Sequence, residues 1–198
     1  MKSIGRGWQY TVYDIGNNRV LKHSNDKLTA YFVMTHDCFP YIRSPIWKFP
    51  RYYISSFLNS RDSLQKLREV NLDKKLFGNP KYLDNNLDYE QDKLKPLDKH
   101  LKNISLDEGK IIINKFVNFN KLLIQNNCID KSFNIGKNSA LDKLGNIVLS
   151  DIGELYFSKE AINKQISKKA WTAPYVLKYI PKKLRNYFID SMEVIKTN

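Results

Sequence analysis

Near the start of the chain, two segments with alternating apolar and polar residues are separated by a turn signal, and this pattern predicts a β-hairpin. Aromatic and β-branched residues fill Tyr10–Ile15 and recur over Arg19–His23, with Gly16-Asn17-Asn18 between them. Glycine and asparagine tolerate the positive φ angles that tight hairpin turns need. The same pattern predicts a second hairpin in "SALDKLGNIVLS", with its turn at Gly145.

Elsewhere apolar residues recur at helical spacing. The best helix is predicted at 105–127, because Ser105 and Glu108 form a capping box before a run of regularly spaced apolar residues. We predict an irregular or partly helical insertion at 24–60, which holds three prolines and many aromatics, and one or two short strands at 81–97. Further helices are predicted at 62–76, 159–166 and 182–194.

The 198 residues suffice for one compact domain or for two small lobes sharing one domain. Hydrophobic content of 42% and aromatic content of 13% predict an ordered protein. The 33 Lys and Arg against 20 Asp and Glu give a net charge of +13, which favours polyanionic partners such as nucleoside triphosphates, RNA or acidic proteins. Since the lysines are scattered, a generally basic surface explains the charge equally well.

Cys38 and Cys128 lack metal-ligand spacing, so the sequence predicts reduced thiols and no zinc site. No stretch approaches the roughly 18 apolar residues that would span a bilayer. We therefore expect a cytoplasmic protein, or one secreted into a host cell without a cleaved signal peptide.

The strongest candidate chemistry lies at the two ends of the second hairpin. Asn138 and Asp151 stand 13 residues apart, and strand pairing would return both to one edge. An amide oxygen and a carboxylate there could share a hard cation such as Mg²⁺. The alternative is an Asx turn at each hairpin end.

Two glycines before the first hairpin suggest a phosphate-binding loop. Gly5 and Gly7 precede Val12, and Lys22 lies on the next strand. Glycine lets a backbone approach phosphates closely, and a nearby lysine supplies a point charge. A plain turn at these glycines is the alternative.

Together these stretches resemble the protein-kinase-like fold. "IGRGWQYTVY" resembles its glycine-rich loop, "RVLK" its lysine-bearing strand, and "NSALDKLGNIVLSDIG" the segment from its metal-binding Asn to its D-F-G motif, here D-I-G. About 45 residues follow this motif, which is short for the family. The resemblance implies an α+β, two-lobed minimal kinase-like domain over 1–198, with a small antiparallel β N-lobe (about 1–91) and a reduced helical C-lobe (about 92–198).

The resemblance also implies roles for individual residues. Gly5 and Gly7 would cover the ATP phosphates that Lys22 contacts, Val12 would also bind ATP, and Asn138 with Asp151 would hold Mg²⁺. Glu69, on the predicted helix 62–76, would pair with Lys22. The stretch Tyr89, Glu90 and Gln91 would be the hinge that binds adenine through its backbone.

One departure from the family concerns the catalytic Asp. Its usual place, five residues before the metal-binding Asn, holds Phe133. Asp130 is the substitute if the loop is longer, and would orient the substrate hydroxyl and accept its proton. An alternative alignment pairs Asp130 with Asn134 as the metal ligand.

By this resemblance the protein would be a monomeric, ATP- and Mg²⁺-dependent Ser/Thr protein kinase. It resembles small bacterial effector kinases of the HopBF kind, which act in virulence on a host chaperone of the Hsp ninety class. Two alternatives remain open: a pseudokinase serving as an interaction module, favoured by Phe133, and a small RNA or tRNA kinase of the Bud-like type, favoured by the net charge of +13.

Overall fold

The computed structural model describes residues 1–7, 9–37, 49–83 and 87–196, which form an α+β fold with a small antiparallel sheet and several helices. The strands are β1 (Lys2–Arg6), β2 (Tyr10–Gly16), β3 (Arg19–Ser24), β4 (Lys81–Tyr82), β5 (Tyr89–Asp92), β6 (Lys95–Pro96), β7 (Ile129–Asp130), β8 (Ser139–Leu141), β9 (Ile147–Leu149) and β10 (Leu155–Tyr156). The α-helices are α1 (Lys27–Asp37), α2 (Phe49–Glu69), α3 (Leu97–Leu101), α4 (Leu106–Gln125), α5 (Lys159–Ser167), α6 (Pro174–Leu177) and α7 (Arg185–Met192).

The chain divides into two compact units. Unit 1 comprises Met1–Lys74 and Gly78–Lys93, and unit 2 comprises Lys75–Phe77 and Leu94–Asn198. The chain therefore crosses from unit 1 into the main part of unit 2 between residues 93 and 94.

Unit 1 is built on an antiparallel sheet with strand order β1-β2-β3-β5-β4. The predicted opening hairpin is confirmed, because β2 pairs with β3 in the register Tyr13 to Leu21. Its turn uses positive φ angles of 78° at Gly16, 48° at Asn17 and 57° at Asn18. These are the residue types that reach the left-handed region at least cost.

Helix α2 differs from the predicted helix at 62–76. It begins 13 residues earlier, at Phe49, and ends at Glu69. Pro50 is compatible with this start, since the first helical turn needs no backbone donor. Five of its buried residues share one helix face: Ser56, Ser60, Ser63, Leu64 and Leu67. Because three of the five are serines, the helical spacing of this face is not visible from the hydrophobic residues alone.

The remaining secondary-structure predictions for unit 1 agree with the structure where it describes them. Helix α1 confirms that the 24–60 segment is partly helical, and β4 and β5 are the predicted short strands. The parts of these predictions at 38–48 and 84–86 lie outside the described residues.

Unit 2 packs around α4, which begins with the predicted capping box. Ser105 Oγ accepts a hydrogen bond from the Glu108 amide, and the Glu108 carboxylate accepts one from the Ser105 amide. Ile113 on α4 is fully buried, and the rings of Phe116 and Phe188 lie 6.2 Å apart, which joins α4 to α7. The predicted C-terminal helices correspond to α5 and α7.

The second predicted hairpin is also confirmed, as β8 and β9 pair in the register Ala140 to Val148. Its turn is closed by Asp142, whose Oδ1 accepts hydrogen bonds from the amides of Leu144 and Asn146, both at 2.8 Å. Among the described helices, none combines the length and apolar character needed to cross a membrane.

Candidate functional site

Asp130 is the centre of a buried polar cluster in unit 2. Its side chain lies at the end of β7 and is 2% exposed. One carboxylate oxygen accepts hydrogen bonds from Ser132 Oγ at 3.0 Å and from the Asn134 amide at 2.8 Å. The other accepts one from Asn138 Nδ2 at 2.7 Å. The structure therefore joins the predicted base directly to the predicted metal ligand.

This environment changes the acidity of Asp130. Burial raises the pKa of its carboxyl to about 6, although the hydrogen bonds from Asn134, Asn138 and Ser132 oppose the rise. The negative charge of Asp151 raises the pKa further. A carboxyl with this pKa is mostly ionised at pH 7.5 and gains a proton just below neutrality.

The β8–β9 hairpin brings Asn138 and Asp151 together. The Asn138 carbonyl accepts hydrogen bonds from the amides of Ser150, at 2.7 Å, and Asp151, at 3.1 Å. The alternative interpretation is an Asx turn at each end of the hairpin. One such hydrogen bond is present, since Asp151 Oδ1 accepts from the Gly153 amide at 3.2 Å. One carboxylate oxygen thus shapes the turn.

This pair suits a particular kind of metal. Asn138 uses its amide nitrogen toward Asp130, which leaves its side-chain oxygen as the group that can face a cation. Within the described ranges, no three or more His, Cys, Asp or Glu side chains are grouped as a metal site. Mg²⁺ commonly takes one or two carboxylates and completes its shell with phosphate oxygens and water. Asn138 and Asp151 are therefore the residues of this hairpin that could hold such an ion.

Phe133, at the usual place of the catalytic Asp, belongs to the core. It is fully buried, adopts a φ of 51° and packs edge-on against Trp171 with ring centroids 5.6 Å apart. The loop between Asp130 and Asn138 turns this ring inward and holds Asp130 against Asn138. Asn134 is occupied within the loop, because its Oδ1 accepts a hydrogen bond from the Lys137 amide at 3.1 Å. This arrangement favours Asn138 over Asn134 as the ligand.

Sequence reasoning missed two neighbours of Asp130. Burial raises the pKa of Glu154, an ion pair with Lys131 at 3.6 Å lowers it, and the charges of Asp151 and Asp130 raise it. Burial also raises the pKa of Tyr175, and the charges of Asp130 and Glu154 add to this. Neither residue stands at a recognisable motif spacing, so only the fold reveals their proximity.

Asp130 should make the stability of the protein depend on pH. Its folded pKa of about 6 exceeds the ordinary 3.8, so between these values the folded state holds the proton more tightly. The free energy of unfolding contributed by this group is therefore largest near pH 4 and falls as the pH rises to about 6. We expect the free energy of unfolding of Asp130→Asn, relative to that of the parent, to rise by roughly 1–3 kcal/mol between pH 4 and pH 8.

Urea unfolding at pH 4, 6 and 8 measures this difference. The control is Asp107→Asn, an exposed carboxylate on α4, which should follow the pH profile of the parent. A constant difference between Asp130→Asn and the parent across this range would contradict the raised pKa.

In unit 1 the predicted phosphate-binding residues lie in one row across the sheet. Gly5 pairs with Val12, Val12 with Lys22, and Lys22 with Tyr89. Directly opposed residues share a face of an antiparallel sheet. The Gly7 amide donates to the Tyr10 carbonyl at 2.8 Å, which closes the loop that follows β1. Gly5 lies within β1 rather than in the predicted loop, and Gly5, Val12 and Lys22 stand side by side on neighbouring strands.

Lys22 is largely buried, with 9% of its surface exposed, and its Nζ lies 5.6 Å from the centre of the Tyr89 ring. The predicted partner Glu69 does not meet it. Glu69 is exposed near the end of α2, where its carboxylate accepts hydrogen bonds from Gln65 at 3.0 Å and Lys66 at 3.1 Å. The predicted pairing of Glu69 with Lys22 is wrong, because helical neighbours three and four residues away hold this carboxylate.

The predicted hinge is also wrong. Glu90 and Gln91 lie inside β5, and Glu90 stands between Leu21 on β3 and Lys81 on β4. Its backbone therefore faces neighbouring strands, and its side chain is on the sheet face opposite Lys22, within 3.8 Å of Arg19. Gln91 is 1% exposed.

A small cavity in unit 1 lies elsewhere, between the ends of β2 and β3 and helix α2. Gln9, Asn25, Ser56 and Ser60 are among its lining residues, and its volume is about 20 Å³. That space suits about one water molecule and is far too small for a nucleotide. The cavity therefore contributes nothing to the candidate site.

The structure thus groups the candidate residues into two separate sets, each within its own unit: Gly5, Val12 and Lys22 on the sheet of unit 1, and Asp130, Asn138 and Asp151 in unit 2. Comparison with protein-family models and with curated proteins finds no match to this chain.

Proposed function

We propose that this protein is an ATP- and Mg²⁺-dependent phosphotransferase, a minimal kinase that phosphorylates Ser or Thr hydroxyls of a protein substrate. The observation that carries the proposal is the hydrogen bond from Asn138 to the buried carboxylate of Asp130, in a loop whose end is tied to Asp151. Three residues of the types that phosphoryl transfer requires are thereby linked within unit 2.

Each residue has a separate task in this proposal. Lys22 offers an ammonium group to the phosphates of the nucleotide. Asn138 and Asp151 would hold Mg²⁺, which when bound would offset the negative charge of the phosphates. Asp130 orients the substrate hydroxyl and accepts its proton as the new oxygen–phosphorus bond forms and the bond to the departing ADP breaks.

The acidity of Asp130 supports its role as a base. With a pKa of about 6, the carboxylate is ionised at pH 7.5 and is more basic than an ordinary aspartate. General bases work best when their pKa lies near the working pH. The buried hydrogen bonds also fix its orientation before the substrate arrives.

The proposal is tested by incubating the protein with γ-labelled ATP and Mg²⁺, alone and with cell lysate. We expect label transfer by the parent and a loss of at least about a hundredfold in Lys22→Met. Methionine keeps the aliphatic stem and removes the charge. The matched control is Lys27→Met, an exposed lysine at the start of α1, which should transfer label like the parent.

Nucleotide binding, measured by calorimetry on the same proteins, separates the alternatives. Binding of ATP without any transfer would favour the pseudokinase. Absence of both binding and transfer in a folded parent would overturn the proposal.

A further inference from the structure

A strongly basic segment of unit 2 packs against the loop that carries Asp130. Between Lys164 and Arg185 the chain holds seven Lys and Arg and no Asp or Glu. Tyr179, within this segment, contacts the loop at Gly136. A Cβ atom added at Gly136 would lie only 2.3 Å from Tyr179 Cβ and 2.7 Å from its Cγ. Glycine is therefore the residue that lets the segment and the loop approach this closely.

Two lysines flank the ring at this contact. Lys137 Nζ, from the loop, lies 5.6 Å from the centre of the Tyr179 ring, and Lys178 Nζ, from the basic segment, lies 4.8 Å from it. We call Lys137, Lys178 and Tyr179 the Tyr179 patch. An anionic side chain beside this ring would be attracted by both ammonium groups.

The Tyr179 patch is connected to Asp130. The Lys137 amide donates to Asn134 Oδ1, and the Asn134 amide donates to the Asp130 carboxylate. Tyr175, four residues before Tyr179, is 44% exposed, and the charge of Asp130 contributes to its raised pKa. Hence a substrate hydroxyl at Asp130 would have its neighbouring residues close to this patch.

We propose that the Tyr179 patch binds carboxylate side chains that flank the acceptor hydroxyl of an acidic peptide. This inference rests on the proposed function for the identity of the acceptor, whereas the binding itself does not require catalysis. Lysine ammonium groups act as point charges that suit single carboxylates.

The same geometry disfavours RNA at this patch. Binding of single-stranded nucleic acid relies on exposed aromatic faces on which bases stack. The Tyr179 ring is flanked by the two lysines and abuts Gly136, and Trp171 is 1% exposed. Among the described residues from 164 to 185, Tyr175 is the one exposed aromatic residue. A single exposed ring offers little surface on which successive bases could stack.

The test measures fluorescence anisotropy of a labelled peptide with a central serine flanked by glutamates, titrated with the full chain. A peptide with glutamines in place of the glutamates is the ligand control. We expect the double variant Lys137→Glu, Lys178→Glu to weaken binding of the acidic peptide at least about tenfold. The matched variant Lys164→Glu, Lys168→Glu reverses two exposed lysines of the same segment and should bind like the parent.

Every outcome bears on the proposal. Equal losses in the two double variants would show a general charge effect and overturn it, as would equal binding of the two peptides. Tighter binding of a single-stranded RNA oligonucleotide, lost in the Tyr179-patch variant, would overturn it in favour of RNA. The neutral variant Lys137→Gln should show a smaller loss, and thermal unfolding checks that each variant is folded.

The result is independent of the assay for phosphoryl transfer. If the protein fails to bind ATP but binds the acidic peptide through the Tyr179 patch, the kinase proposal fails and the binding surface stands. If it transfers phosphate but does not distinguish the two peptides, the kinase proposal stands and the proposed binding of acidic peptides by the Tyr179 patch fails.

Discussion

Replacing Asp151 by asparagine is expected to lower transfer of the γ-phosphate by about a thousandfold. The substitution keeps the shape of the side chain and an oxygen that can accept the hydrogen bond from the Gly153 amide. It removes the negative charge that would hold Mg²⁺ under the proposed function. The rate of label transfer at saturating ATP, measured over a range of Mg²⁺ concentrations, gives the size of the loss.

The same hairpin offers a matched control. Asp142→Asn also removes one carboxylate, but that carboxylate closes the turn by accepting hydrogen bonds from Leu144 and Asn146. This variant should lose stability and keep its rate of transfer. Equal rates in Asp151→Asn and Asp142→Asn would contradict the assignment of Asp151 to the metal.

Replacing Asp130 by asparagine is expected to lower turnover by about a hundredfold to ten-thousandfold while leaving the affinity for ATP unchanged. Asparagine can accept some of the same hydrogen bonds but cannot take a proton from a substrate hydroxyl. In the parent, transfer should decline as the pH falls through about 6, because protonation of Asp130 removes the base. Initial rates between pH 5 and 8 measure both effects.

Ser132→Ala provides the control for this assignment. The Ser132 hydroxyl donates to Asp130 and lowers the pKa of its carboxyl, so its loss should move the acidic limb of the rate profile to higher pH. Unchanged turnover in Asp130→Asn would remove Asp130 from catalysis.

The elements that sequence patterns predicted well are those closed by contacts between near neighbours. The capping box of Ser105 and Glu108 spans three residues, and the turn of the second hairpin is fixed by Asp142 and Gly145. Such signals depend on residues that lie close together in the chain, so both partners of each contact can be recognised from the local sequence. The proximity of Asn138 and Asp151 follows from the same hairpin.

The extent of α2 could not be predicted in this way. Its buried face includes Ser56, Ser60 and Ser63, and serine does not register as apolar in a count of hydrophobic positions. Ser56 Oγ is instead satisfied by Gln9 Nε2, 47 residues away in the chain, at 2.5 Å. Burial of such a face depends on a distant partner that local periodicity cannot reveal.

The sequence by itself determined the two hairpins, the capped helix α4 and the spacing of Asn138 and Asp151, because short-range hydrogen bonds and turn geometry fix them. Only the tertiary structure decided which polar groups meet across longer loops. In the tertiary structure Phe133 packs in the core, Asp130 accepts a hydrogen bond from Asn138, and Glu69 is hydrogen-bonded to Gln65 of its own helix. Burial and long-range packing control these contacts, and they depend on the whole fold at once.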